Sequence, residues 1–559
     1  MTSIEIAWIL QQISDYMELL NENTLKTNDY RKASKLLKKY NGSGYEFIKE
    51  YSSKRKHTFH IDVIKDIQEI LKTRKSKRLF YLKQKIPRNV QGLLDIPGIE
   101  TKVIKQIYNT LNITNLHGLE KAAKEKRIRQ LPGMGSKTEL SLIRGIDLLN
   151  NPRNIFPLGM ATYIAKDFLH ILTNLSNVKN ASIAGEVRRA QEMIEKIILV
   201  VKCEDKELTA RVLGKHPLVS KVLQSNSQMI GLLTKINLPI EINFCRDNFF
   251  FCLHHYTGSK KYLDAFFKKL DTANLNLTNL DSEEDIFIRA NIQFISPEIR
   301  ESSEVLEWSK ERSIPELIEL EDIKGDLHIH SNWSDGVNTI EEMVEAGQKK
   351  GYEYMAITDH SRTLTVASGL SIEQIHKQHQ IVSEINKNLK DFNVFTGIEV
   401  DILKAGDLDY PDQILENTDL IIASVHNNLR QDEETITVRV ENAIKNPNVD
   451  ILAHPTGRIL GRRNSTLINL ERIFSLAEKT GTALEINSSP DRLDLNSENV
   501  KLSQKYEIPI AINTDAHSIK SLQDIEFGIK TAKRGLLEKQ SVINTWSKEE
   551  LKRWLRKKK

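Results

Sequence analysis

The chain has 559 residues, of which 40% are hydrophobic and 28% charged, and its formal net charge at pH 7 is +5. This length exceeds what one hydrophobic core supports, so three to five domains are expected. No apolar stretch approaches the roughly 20 residues of a membrane span, and the acids within residues 1–20 argue against a signal peptide. The three cysteines, Cys203, Cys245 and Cys252, fit neither a disulfide framework nor a zinc knuckle, which predicts a reducing, cytoplasmic location.

Residues 1–85 predict helices, because apolar residues recur at three- and four-residue spacing in IAWILQQISDYMELL and YRKASKLLKKY. Two basic runs, at 72–78 and 551–559, stand out from the weak overall charge. Such runs are usually solvated surface, and they indicate nucleic-acid binding only beside a motif that binds phosphate.

Segments 92–111 and 128–146 repeat one pattern, in which Pro-Gly is followed after three residues by lysine and a helix. The pattern predicts two helix-hairpin-helix units, whose glycines allow tight hairpins and leave backbone N–H groups free to hold a phosphate. Such units contact the DNA backbone rather than the bases, so sequence-independent binding is expected. The alternative is two ordinary helical turns. The residues expected at the DNA are Gly98, Lys102, Gly133, Gly135 and Lys137.

From Asn154 to Phe251 the helices give way to β-type runs such as KIILVVK and LPIEINF, which predict a mixed α+β domain. Residues 252–300 look mixed and partly helical. Residues 295–323 are polar, acidic and interrupted by Pro297 and Pro315, as is typical of an interdomain linker.

From Lys324 onward, apolar runs alternate with amphipathic stretches. Seven strands with intervening helices predict a β/α barrel slightly smaller than the eight-fold form. The predicted strands are GDLHIH, YMAITD, VFTGIEV, LIIASVH, DILAHP, ALEINSS and IPIAINTDA.

Nine metal-binding side chains lie at or just beyond the ends of these strands: His328, His330, Asp335, His360, Glu399, His426, His454, Asp515 and His517. Imidazole and carboxylate groups hold divalent ions such as Zn²⁺ and Mn²⁺. Because strand side chains alternate, His328 and His330 share one face, and Asp515 and His517 repeat this spacing. The C-terminal strand ends are where such barrels assemble active sites, so the sequence predicts a multi-metal hydrolytic site.

The nine residues resemble the signature of the polymerase-and-histidinol-phosphatase (PHP) domain family, over roughly residues 323–559. The resemblance implies three divalent ions, Mn²⁺ or Zn²⁺, with Mg²⁺ a further candidate. It implies one ion at His328, His330, Glu399 and Asp515, the four residues expected to be catalytic. It implies a second at Glu399, His426 and His454, and a third at Asp335, His360 and His517. Arg458 is a candidate contact for a substrate phosphate.

A PHP barrel that follows two helix-hairpin-helix units resembles the bacterial family X DNA polymerases, over almost the whole chain. YRKAS resembles the start of that family's lyase-like domain, in which Lys35, Lys38 or Lys39 could form a Schiff base or be solvated surface. The implied fold is multidomain, with an α-helical N-terminal region, an α+β nucleotidyltransferase-like palm and a distorted (β/α)7 barrel. The expected domains are 1–88 (lyase-like), 89–152 (fingers-like), 153–248 (palm), 249–300 (thumb-like), 301–322 (linker) and 323–559 (PHP).

The palm departs from this family's pattern of Gly-Ser, Arg-Arg and an Asp-x-Asp pair. Aligning Gly185, Arg188 and Arg189 puts Lys196 and Ile198 where the two aspartates belong, and Glu186 at the serine. Two-metal phosphoryl transfer needs carboxylates facing both ions, so templated DNA synthesis is predicted to be lost or weak. The arginine pair is either a phosphate contact or a structural remnant. Glu241 is a plausible replacement for the third carboxylate, and Gly258 and Ser259 survive from the nucleotide-binding segment. Glu192 and Glu195 are further candidate carboxylates, each without a partner carboxylate on its face.

These patterns predict a DNA-binding, metal-dependent 3′–5′ exonuclease or 3′-end-processing enzyme of DNA repair. It is expected to act as a monomer on gapped or 3′-ended DNA. The alternatives are an active gap-filling polymerase with exonuclease editing, a DNA-binding scaffold without catalysis, and a small-molecule phosphatase.

Overall fold

The N-terminal region is an all-helical domain. The structure, a computed structural model, describes residues 2–40, 44–53, 59–96, 99–150, 154–273, 277 and 279–558. The first helix begins with a capping box, in which Thr2 and Glu5 bind each other's backbone N–H groups. The helices are α1 (Ser3–Leu19), α2 (Thr24–Lys38), α3 (Gly44–Ser53), α4 (Ile61–Thr73), α5 (Lys77–Lys85), α6 (Arg88–Gln91), α7 (Thr101–Leu111), α8 (Leu116–Lys124) and α9 (Ser136–Asn150).

A single hydrophobic core runs through this helical domain. Leu82 of α5, Ile104 of α7 and Leu142 of α9 are buried in the same cluster as Ile13 of α1. The predicted boundary between residues 88 and 89 therefore does not separate two cores. The lyase-like and fingers-like segments pack as one unit.

The palm-like domain is built on a five-stranded mixed sheet. Its sheet order is β2-β4-β7-β6-β5, and β4 and β7 are its parallel pair. The elements are β1 (Phe156–Pro157), α10 (Leu158–Thr173), β2 (Val178–Ala184), α11 (Gly185–Arg188), β3 (Met193–Ile194), β4 (Ile197–Cys203), α12 (Lys206–Gly214), β5 (Val219–Ser225), β6 (Met229–Thr234) and β7 (Pro239–Cys245).

A small helical domain follows, and it extends into the predicted linker. It contains α13 (Phe249–Thr257), α14 (Lys260–Ala273), α15 (Glu284–Arg289) and α16 (Glu304–Glu311). Val305 and Leu306 of α16 are buried with Tyr262 and Phe287 in one core cluster. The expected linker at 301–322 thus differs from the structure, because these apolar side chains fix its first half to the thumb-like domain.

The C-terminal domain is the predicted seven-stranded parallel barrel. Its order is β8 to β14 in sequence, and a bridge between Ile329 and Ala516 brings the first and last strands together. The strands are β8 (Gly325–Ile329), β9 (Tyr354–Ile357), β10 (Asn393–Asp401), β11 (Leu420–Ser424), β12 (Ile451–Leu452), β13 (Ala483–Asn487) and β14 (Ile510–Asn513). The helices are α17 (Ile340–Lys349), α18 (Ile372–Lys387), α19 (Asp412–Glu416), α20 (Glu433–Ile444), α21 (Leu470–Thr480), α22 (Ser497–Ser503), α23 (Ile525–Arg534) and α24 (Lys548–Lys558).

The barrel packs directly against the palm-like domain. Leu493 and Phe527 of the barrel are buried in the palm core, which also takes up Trp8 of α1. Lys166 of α10 forms an ion pair with Glu526 at 2.8 Å. Within the described part of the chain, no helix is both long and apolar enough to cross a membrane.

Candidate active site in the barrel

All nine predicted ligands meet at the C-terminal mouth of the barrel. His328 lies in β8 and Glu399 in β10, while the other seven follow the strand ends. Two of them have a left-handed backbone, with φ of +28° at His454 and +54° at Asp515. This conformation is uncommon for residues other than glycine and is typical of functional sites, where it redirects a side chain.

Glu399 is the centre of the cluster. It is 1% exposed, and its two carboxylate oxygens lie 2.7–3.5 Å from nitrogens of five histidines. Those histidines are His328, His330, His360, His426 and His454. A carboxylate in this position can bridge ions held by different imidazoles.

The two aspartates join the remaining histidine to this centre. Oδ1 of Asp335 lies 3.1 Å from Nε2 of His517 and 3.5 Å from Nε2 of His360. Oδ1 of Asp515 lies 3.2 Å from Nε2 of His330 and 3.5 Å from Nδ1 of His517. The nine groups therefore form one continuous cluster.

Three sets of ligand atoms within this cluster are close enough to share an ion. Each set spans no more than 4.8 Å: His330, Asp335, His360 and His517; His328, His330 and Asp515; and His360, Glu399 and His426. They overlap the ligand sets implied by the family resemblance. The sets differ in three ways. Glu399 is not part of the set formed by His328, His330 and Asp515, and His330 also joins the Asp335 set. His360 stands beside Glu399 and His426 where His454 was expected.

Several potential ligand atoms in the cluster have no hydrogen-bond partner in the part of the chain that the structure describes and are therefore free to bind a cation. Among the described residues, Nε2 of His328, Nε2 of His330, Oδ1 of Asp335 and Oε2 of Glu399 are buried without a hydrogen-bond partner. Buried polar atoms without a partner cost about 1–3 kcal/mol each. Divalent ions would satisfy all of them, so the residues present fit the metal that the motif implies.

The electrostatics of the cluster also favour cations. Burial would raise the pKa of Glu399, but the surrounding histidines outweigh it and hold the pKa well below its usual range. Burial would lower the pKa of His426, but Glu399 and Asp401 raise the pKa to about 9. Glu399 and Asp401 thus favour a positive charge beside His426, which a metal ion would supply in place of a proton.

Buried carboxylates that the sequence analysis missed orient two of the imidazoles. Oε1 of Glu485, in β13, lies 2.7 Å from Nδ1 of His328, and Oδ1 of Asp401 lies 2.6 Å from Nδ1 of His426. Each contact fixes the tautomer that leaves Nε2 free to bind an ion. The signal for Glu485 was an acid between the apolar residues of ALEI, within a predicted strand.

Replacing Glu485 with glutamine is expected to weaken metal binding about 10- to 100-fold, because the Nδ1–H of His328 loses its charged acceptor. Equilibrium dialysis against Mn²⁺ would measure the loss. Glu478→Gln, at the end of α21 outside the cluster, is the control. Unchanged affinity for Mn²⁺ in Glu485→Gln would contradict this role.

Arg458 does not take the place predicted for a phosphate contact. Its guanidinium forms two hydrogen bonds of 2.7 and 2.8 Å with Glu192 of the palm-like domain, and it also donates to the carbonyls of Arg492 and Leu493. These bonds use its charge and most of its donors. The structure therefore makes Arg458 a link between two domains.

The palm-like site holds an ion pair at positions that the sequence comparison above assigns to the family's catalytic carboxylates. Lys196 Nζ lies 2.8 Å from Oε1 of Glu241, and Ile198 pairs with Glu241 in the sheet register. Ile198 packs against Gly185. Glu186 accepts a hydrogen bond from the backbone N–H of Glu195. The three possible ion sites found among the described residues all lie in the barrel.

The retained arginine pair of the palm is held by carboxylates. Arg188 forms a two-point ion pair with Glu283, which also binds the fully buried Arg300. Burial would raise the pKa of Glu283, but the two arginines lower the pKa to about 2. Arg189 binds Glu301 at 2.9 Å, and Ser259 donates to the Glu301 carbonyl. These contacts favour the interpretation as structural remnants.

The second helix-hairpin-helix unit has the expected tight turn. Gly133 has φ of +71°, and α9 begins three residues later. Gly135 has open space around its Cα, as a close approach by a phosphate requires. Lys102, near the start of α7, is exposed and lies 3.0 Å from Glu100. Gly98 and the side chain of Lys137 lie outside what the structure describes.

Comparison with known protein families identifies both the barrel and the helix-hairpin-helix region. The PHP domain family matches residues 326–489, and the SAM-like helix-hairpin-helix tandem family matches residues 90–147. A probable phosphatase of Thermoanaerobacter sp. (strain X514) is 29% identical over 42% of this chain and 95% of its own length. A probable phosphatase of Syntrophotalea carbinolica is 26% identical over 39% of this chain and 90% of its own length.

One relative is similar from end to end. The DNA polymerase/3′-5′ exonuclease PolX of Bacillus subtilis (strain 168) is 33% identical to this chain over 99% of both sequences. The match includes the helix-hairpin-helix region, the palm-like domain and the barrel together. The chain therefore belongs to the PolX family and carries a C-terminal PHP domain.

Proposed function

We propose that this protein is a DNA-binding, metal-dependent phosphodiester hydrolase that processes DNA from the 3′ end. The observation that carries the proposal is the convergence of five histidines on Glu399, with Asp335, Asp515 and His517 completing one buried cluster. The PHP family is metal-dependent, and three ions, Mn²⁺ or Zn²⁺, are proposed here.

The protein's own residues hold and orient this site. Glu399 would bridge neighbouring ions, Asp335 and Asp515 would each complete one set, and Glu485 and Asp401 fix two of the imidazoles. Bound divalent ions would supply an activated water nucleophile and would neutralise charge that develops on the phosphoryl oxygen. The burial of Glu399 and His328 keeps bulk water from screening these charges.

Several observations support DNA as the substrate. The helix-hairpin-helix tandem covers residues 90–147, and such units bind the phosphate backbone. The relative from Bacillus subtilis is named as a 3′-5′ exonuclease. The probable phosphatases match only 42% or less of this chain, so a small-molecule phosphatase would leave the helical half without a role.

The test uses the full chain loaded with Mn²⁺ and single-stranded and gapped DNA carrying a 5′ label. Removal of nucleotides from the 3′ end would yield a ladder of labelled products that shortens one nucleotide at a time. A 3′-labelled copy would release its label as a mononucleotide at once. Shortening from the 5′ end alone, or hydrolysis of phosphate monoesters without any DNA cleavage, would contradict the proposal.

A further inference from the structure

Four arginines lie in the two barrel loops that connect the ligand cluster to the palm-like domain. Arg458, Arg462 and Arg463 follow His454, and Arg492 lies in the loop after β13. Arg462 donates to the carbonyl of Leu140 at 3.3 Å. Arg458 is paired with Glu192, and Nε of Arg463 donates to the carbonyl of Gly457 at 2.7 Å. The guanidinium of Arg492 has a different environment.

Among the described residues, no close ion pair neutralises the charge of Arg492. Across the residues that the structure describes, its side chain has no hydrogen-bond acceptor, and one carboxylate lies within 4 Å. That contact joins Nε of Arg492 to Oδ2 of Asp515 at 3.8 Å, which is too long for a hydrogen bond, and the arginine side chain is 20% exposed. A guanidinium is always charged and offers five donors, so this position favours an incoming anion.

The position of Arg492 suits one class of anion. Asp515 belongs to the set formed with His328 and His330, so a phosphodiester that enters this cluster would come within reach of the arginine. The planar fork of a guanidinium matches two oxygens of a phosphate group. Without this guanidinium, the carboxylates in the cluster would repel the negatively charged phosphate.

We propose that Arg492 forms a phosphate-binding subsite, in which its guanidinium binds a non-bridging oxygen of the substrate phosphodiester beside Asp515. The inference rests on the proposed hydrolytic function, and it names the residue that takes the part first expected of Arg458.

The palm-like domain positions this arginine. Nε of Arg458 donates to the carbonyl of Arg492 at 2.8 Å, while Glu192 holds the other end of the Arg458 guanidinium. The next residue, Leu493, is fully buried in the palm core. Glu192 and Arg458 are therefore positioning residues, through which the palm-like domain shapes the hydrolytic site.

The first test measures binding of thymidine 5′-monophosphate to the Mn²⁺-loaded full chain by equilibrium dialysis, together with bound manganese. Arg492→Ala is expected to weaken binding about 10- to 100-fold, with manganese content unchanged. Arg492→Lys should fall between, because an ammonium keeps the charge without the fork. The control is Arg472→Ala, whose guanidinium pairs with Glu434 and Glu441. Undiminished nucleotide binding, or loss of manganese in parallel, would overturn the subsite.

The second test is a double-mutant cycle on the same readout. Arg458→Ala and Glu192→Gln are each expected to weaken nucleotide binding several-fold in the native background and to have little further effect in Arg492→Ala. Full additivity would show that Arg458 does not act through Arg492. Circular dichroism of each variant would establish that the fold is retained.

The hydrolase activity and the Arg492 subsite can be tested separately. A wild-type chain that binds the nucleotide through Arg492 but cleaves no DNA would refute the hydrolase and leave the subsite standing. A wild-type chain that cleaves DNA, with nucleotide binding and KM unaffected by Arg492→Ala, would refute the subsite alone.

Discussion

Glu399→Gln is expected to reduce DNA cleavage by about a thousandfold or more while leaving DNA binding intact. The amide keeps the shape of the side chain but removes the charge on which five histidines converge. It also places a hydrogen-bond donor where the imidazoles need an acceptor or an ion. Loss of metal should accompany loss of activity.

The measurement combines cleavage of end-labelled DNA, manganese content and the affinity for uncleaved DNA. Glu345→Gln is the matched control, because Glu345 lies on α17 of the same barrel and pairs only with Lys349 at its surface, within the described residues. DNA affinity should change little in either variant, because neither glutamate belongs to the helix-hairpin-helix tandem at residues 90–147, which is proposed to bind the DNA backbone. Cleavage by Glu399→Gln within tenfold of wild type would contradict the assignment.

Primer extension by the wild-type chain is expected to be absent or very weak with either Mg²⁺ or Mn²⁺. Lys196 is the residue that aligns with a catalytic aspartate of the family in our sequence analysis, and its ammonium is already paired with Glu241. Two positive unit charges about 4 Å apart repel each other by about 4 kcal/mol at an effective dielectric constant of 20. The repulsion between the Lys196 ammonium and a divalent ion would be about twice as large. Ile198 supplies no lone pair at the second position.

The assay uses a gapped primer-template at concentrations where binding of the DNA is measured independently, so that a negative result reflects chemistry. The Glu399→Gln variant removes the nuclease and prevents degradation of any product. Efficient extension by this variant that disappears in Glu241→Gln would show an active palm, and the gap-filling polymerase would then be the better description.

The sequence predicted the barrel well because its signals are local. Seven apolar runs became seven parallel strands, and parallel strands bring their C-terminal ends together, so nine predicted ligands that are far apart in sequence lie at one mouth. The apolar run YMAITD, for example, became β9 with His360 just beyond it.

Long-range pairing limited the remaining predictions. Glu192 and Arg458 are 266 residues apart, so no spacing rule could show that this ion pair removes Arg458 from the substrate. Glu485 and His328, whose side chains are hydrogen-bonded, are 157 residues apart in the sequence. In the predicted linker, Val305 and Leu306 formed a helix because a neighbouring core was available to bury them, which polar composition does not show.

The most direct measurement is anomalous diffraction from crystals of the full chain grown with Mn²⁺, recorded near the manganese absorption edge. We expect strong peaks within coordination distance of Glu399, Asp335 and Asp515, and none between Lys196 and Glu241. A barrel mouth without anomalous density, or manganese bound in the palm instead, would contradict the assignment of the metal site to the barrel.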